Sequence, residues 1–108
     1  MSWTVSASGT DTAVVGTEQT LGSDTTNGTY VLVVDLVNMA LGDTTELRVY
    51  TKVLSTGALD LMWKGTFGNA QIAPVVQSPF VPSDVDVSVS LKQIAGTART
   101  YDWKLLRQ

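Results

Sequence analysis

The chain has 108 residues, 44% of them hydrophobic, with seven Lys and Arg against ten Asp and Glu for a formal net charge of −3. That length supports one core, so a single domain over residues 1–108 is expected. It contains no cysteine and no histidine, which removes disulfides, thiolate and imidazole metal sites, cysteine nucleophiles and the commonest general base together.

The expectation is therefore a protein that is not an enzyme and needs no cofactor or metal. The acidic balance disfavours nucleic acid as a partner, since phosphate binding runs on Lys and Arg. No segment is apolar for long enough to cross a bilayer as a helix, and MSWTVSASGT lacks the basic and apolar regions of a signal peptide. No membrane is expected, and synthesis is expected in the cytoplasm. Threonine (15 residues) and valine are the most frequent residues, and both are β-branched and favour strands.

Residues 3–8 and 12–21 are predicted as a first pair of strands, broken at Gly9-Thr10-Asp11 and kinked by a bulge at Gly16. A polar loop covers 22–28. Residues 29–35 (TYVLVVD) are apolar on both faces, which predicts a central strand whose second face is also covered. Residues 35–42 carry a candidate N-cap at Asp35 or Asn38 and a stop at Gly42, predicting one short helical turn.

Residues 45–54 alternate cleanly, with Leu47, Val49, Thr51 and Val53 on one face and Glu46, Arg48, Tyr50 and Lys52 on the other. After Ser55-Thr56-Gly57, residues 58–67 place Leu59, Leu61, Trp63 and Phe67 together, and the two strands should form a hairpin. Residues 71–81 lie between and beside Pro74, Pro79 and Pro82, which confine the stretch to a sheet edge and guard that edge from stray pairing. Residues 85–93 and 100–106 give two further strands.

The fold class is all-β: an antiparallel β-sandwich or jelly roll of about eight strands with one short helical turn. Its predicted core is Leu47, Val49, Leu61, Trp63, Val87, Val89, Leu91, Trp103 and Leu105.

No motif carries chemistry. The ten carboxylates are scattered, and Asp84 and Asp86 are not followed by the loop that calcium sites require. Trp63 and Trp103 fall on apolar strand faces, where core packing outweighs a sugar-stacking role. Trp3 stands close to the N-terminus, where a chain end frays unless the ring is docked on its own domain or on a neighbour. With Val5 and Val14 of the same N-terminal segment, and Met62, Ile72, Val76, Phe80 and Ile94 at outer or edge positions, Trp3 makes up the predicted interface.

The stretch 46–53, the pattern 74–84 (PVVQSPFVPSD), residues 90–97 (SLKQIAGT) and the ending Tyr101-Asp102-Trp103-Lys104-Leu105-Leu106 together resemble small virion proteins of tailed bacteriophages. The family they resemble is that of head decoration, or capsid cement, proteins. The resemblance runs along the whole chain and rests on strands and turns, not on a chemical signature. It implies a β-sandwich or jelly-roll domain that assembles, often as a homotrimer, on the outer surface of the capsid and clamps neighbouring subunits of the major capsid protein. The location would then be the virion, after synthesis in the host cytoplasm. The alternative is a non-catalytic surface- or glycan-binding module, a tail or fibre accessory that recognises its target through exposed Trp or Tyr.

Overall fold

A computed structural model describes residues 2–108. It is all-β, with nine antiparallel strands in chain order: β1 (Thr4–Thr12), β2 (Glu18–Asp24), β3 (Gly28–Asp35), β4 (Thr44–Thr51), β5 (Asp60–Gly68), β6 (Val75–Gln77), β7 (Val81–Ser83), β8 (Val87–Ala95) and β9 (Thr100–Arg107). A front sheet runs β1-β9-β3, with β6 and β7 both on the far edge of β3, and a back sheet runs β2-β8-β4-β5. The arrangement is β-sandwich-like. Tyr30, Leu32, Val34, Tyr101 and Leu105 from the front sheet meet Leu47, Val49, Val87, Val89 and Leu91 from the back sheet in one buried cluster. Strict alternation along β3, β4, β8 and β9 puts these residues on inner faces, and burying each aliphatic one contributes about 1.5–3 kcal/mol.

Trp103 lies half-buried against this cluster, and two glycines make room for its indole. A Cβ on Gly9 would stand 3.4 Å from the ring, and one on Gly22 would stand 3.2 Å from it. This explains a misreading from sequence. Gly9 does not break the first strand, because β1 runs from Thr4 through Gly9 to Thr12. The turn falls instead at residues 13–17, where Gly16 adopts a positive φ of 87°.

A second correction concerns residues 35–42. The described residues contain no helix. Two tight turns, closed by Met39 N–H to Leu36 O and Asp43 N–H to Ala40 O at 3.0 Å each, replace it. Asp35 still caps, accepting from the Val37 amide at 3.0 Å, and Gly42 still stops with a φ of 92°. The residues between cap and stop close these two turns instead, and no helix is nucleated.

The hairpin of β4 and β5 forms, but with a bulge: Val49 pairs Trp63 and Tyr50 pairs Leu61, leaving Met62 extra. Leu61 thereby turns outward beside Tyr50 and is 48% exposed, so it is not a core residue. The proline-rich stretch is an edge as expected, split into the two three-residue strands β6 and β7.

Candidate interaction surface

Strand pairing defines the outer face of the front sheet row by row, because directly opposed residues share a face. Val5, Leu106 and Val31 form one row, Ser8, Lys104, Val33 and Gln77 the next, and Thr10, Asp102, Asp35 and Val75 the third. Val31 faces away from the core and yet is only 3% exposed. Trp3 and Phe80 account for this. Alternation from Val5 and from the buried Val81 turns both rings to the outer side, and their centroids stand 5.6 Å apart at 49°. The cover that the doubly apolar TYVLVVD strand required is this ring pair, reaching from the chain start and from the turn between β6 and β7. It remains accessible itself: Trp3 is 36% and Phe80 61% exposed.

Of the eight predicted interface residues, the structure gathers Trp3, Val5 and Phe80 on this face. Val14 lies in the turn after β1 and Ile94 at the end of β8, both exposed at one end of the molecule. Met62 is exposed on β5 beside Leu61, away from the front sheet. Ile72 stands fully exposed in the loop between β5 and β6. Val76 differs from expectation: it pairs Val34, an inner-face residue, and packs on the core. Sequence reasoning missed Val33, Val75 and Leu106 as members of the same face. The signal was there in TYVLVVD, whose outward residues need outward neighbours.

The outer face of the back sheet is built from charge. Arg48 lies 3.0 Å from both Glu18 and Glu46, and the hydroxyls of Tyr50 and Ser90 donate to Glu18 at 2.5 Å each. Partial burial pushes the Glu18 carboxyl up, but these two hydroxyls with Arg48 and Lys92 outweigh it and hold the group below its ordinary value.

A second polar cluster closes one end of the molecule. Asp43 is buried and accepts from the Ala40 amide at 2.9 Å, the Thr97 amide at 3.0 Å and Arg99 Nε at 2.7 Å. Burial raises this carboxyl, yet the guanidinium and the two amides hold it below its usual range. Gly96 approaches so closely, at a φ of 94°, that a Cβ there would stand 2.1 Å from Asp43 Oδ1. Beside it, buried Gln93 donates to Ala95 O and Thr97 O and accepts from the Arg99 amide and the Tyr101 hydroxyl. Each of these groups is saturated by the loops it ties, which gives the cluster a structural role.

No family model, no curated protein and no solved structure matches the chain.

Proposed function

We propose that the chain is a virion structural protein, a decoration or cement subunit that binds the outer surface of a phage head and stabilises contacts between major capsid subunits. The observation that carries this reading is the outer face of the front sheet. There Trp3, Val5, Phe80 and Val75 leave apolar surface open to a partner, while the buried ionisable groups elsewhere are tied into loops and ion pairs. The finer fold reading belongs here too. With β6 and β7 counted as one broken strand, the pairs β1–β9, β2–β8, β3–β6/β7 and β4–β5 follow the winding of an eight-stranded jelly roll. Jelly rolls serve as viral capsid domains and as lectins alike, so the fold supports both readings, and the apolar outer face supports the first.

The glycan-binding alternative draws on the exposed aromatic rings. Trp3 and Phe80 are tilted at 49° to one another and do not form one flat platform, while Trp63 and Trp103 pack on the core. Sugar stacking needs an open ring face, and this arrangement favours protein contact.

The test is co-sedimentation of the purified protein with phage heads that lack it, followed by electron microscopy of the particles. Binding that saturates at a fixed number of copies per head, and that weakens in Trp3→Ala, is expected. Failure to sediment with heads, together with retention on an immobilised glycan, would overturn the reading in favour of the module. Self-association as a trimer is part of the proposal, and light scattering at micromolar concentration tests it, a monomer being the contrary result.

A further inference from the structure

The second and third rows of the front sheet's outer face line an open hollow of about 270 Å³. Its lining is mostly apolar and includes Val33 and Val75, together with Asp35, Asp102 and Lys104. These two carboxylates sit on directly opposed residues of β3 and β9, an arrangement of like charges that costs stability in the free chain. Each is held in place by one oxygen: Asp102 Oδ1 accepts from Thr10 Oγ1 at 2.7 Å and Asp35 Oδ1 from the Val37 amide at 3.0 Å. Among the described residues neither Asp35, Asp102 nor the nearby Lys104 forms an ion pair. The hollow thus keeps one net negative charge beside Val33 and Val75.

We propose that this hollow receives a lysine or arginine side chain from an extended segment of a partner protein, its aliphatic stem on Val33 and Val75 and its cationic head between Asp35 and Asp102. The inference rests on the reading of this face as the docking face and names the chemistry that the partner brings. A cation placed there removes the repulsion between the two acids and gains charge-assisted hydrogen bonds to their second oxygens. At the β6/β7 edge, beside Val75, the segment lies on the face and does not extend the sheet, because Pro74, Pro79 and Pro82 break that edge into short strands with few donors. A separate subunit suits the charge better than a second copy, since this chain is itself acidic, with ten Asp and Glu against seven Lys and Arg. Trp3, Phe80 and Val5 continue the apolar surface beyond Lys104 and would hold the apolar residues that flank the cation.

Isotope-labelled protein titrated with three short peptides, in which valine alternates with arginine, glutamine or glutamate, tests the proposal by amide chemical shifts. The arginine peptide is expected to shift Ser8, Val33, Asp35, Val75 and Asp102 and the glutamate peptide to leave them unmoved. In Asp35→Asn/Asp102→Asn, whose amide oxygens keep both acceptor roles, affinity for the arginine peptide should fall about tenfold or more. An otherwise unchanged spectrum shows that this variant is folded. Equal shifts by all three peptides, shifts centred on the back sheet, or no shifts would overturn the proposal; a spectrum that broadens without peptide would point to a second copy as occupant, which also overturns it. Particle sedimentation separates the two readings. A double variant that still decorates heads with full affinity refutes the cation site and spares the cement role, whereas a wild-type chain that takes the arginine peptide but ignores heads does the reverse.

Discussion

On the back sheet, Glu18, Glu46, Arg48, Tyr50 and Ser90 meet one another across three strands, so both acids of this cluster have Arg48 as counter-charge, while Lys64, directly opposite Arg48, and Lys92 form no ion pair among the described residues. On the front sheet, Val5, Val33, Val75, Trp3 and Phe80 stand on the outer face with two like charges opposed and no ion pair. The two sheets share one core and the same alternation, yet they differ in what their outer sides leave unsatisfied. Acids already held by a counter-charge gain little from a partner, because any new contact must first break what is there. A face with open apolar surface and unneutralised acids gains on both counts.

The largest test of this contrast is a scan of three neighbours on β3. Leu32, wholly buried between the sheets, should lose about 2–5 kcal/mol on truncation to alanine. Val31, buried beneath the outer rings, should lose about 1–2 kcal/mol, and the more open Val33 under about 1 kcal/mol. Urea denaturation measures all three. Equal losses at Val31 and Val33 would mean that the ring pair gives no real cover.

Next in size is the ring pair itself. A double-mutant cycle of Trp3→Ala and Phe80→Ala should show a coupling of about 0.5–1.5 kcal/mol. A coupling near zero would reduce the outer cover to two independent side chains.

The back face should respond more weakly. Arg48→Met removes one arm from each of two carboxylates, and a loss of about 1 kcal/mol, shrinking with added salt, is expected. A loss that does not depend on salt would assign the effect to packing of the arginine stem instead.

Smallest of all is the effect of acid on Glu18. Its folded-state pKa is depressed, so its contribution is present above the unfolded value and is lost as pH falls through the folded one. Asp24 behaves in the same way further down: the Ser6 hydroxyl, with Thr26 and Arg107, holds it at about 2 against partial burial. Melting temperatures followed from neutrality downward should therefore decline for the wild type and decline less for Glu18→Gln. An identical decline in both would remove Glu18 from the acid response.

How legible this was in the sequence varied with how local the cause was. The strands that alternate cleanly, β4, β8 and β9, were readable because burial on one face writes a period of two into the residues themselves. The doubly apolar β3 correctly announced a covered outer face. Leu61 was misplaced because the bulge at Met62 arises from how β5 fits β4, and no residue in 58–67 signals it. Gly9 was misread as a breaker because its reason lies in Trp103, far along the chain. Trp3, Val5 and Phe80 were legible singly as unpartnered apolar residues; that they share one face, while Met62, Ile72 and Ile94 do not, depends on strand order, which alternation does not encode.

The pairing of the first strand with the last also constrains when this surface can exist. Thr4 is opposite Arg107 and Val5 opposite Leu106, so β1 has no ladder partner until the end of β9 has been synthesised. A ribosome adding about 5–20 residues each second leaves the N-terminal segment unpaired for several seconds, and a topology dominated by such distant pairings adds its own slow step. Trp3 immediately precedes that strand. The ring pair over Val31 is therefore completed only once β9 has been made, and a copy that lacks β9 does not assemble this face.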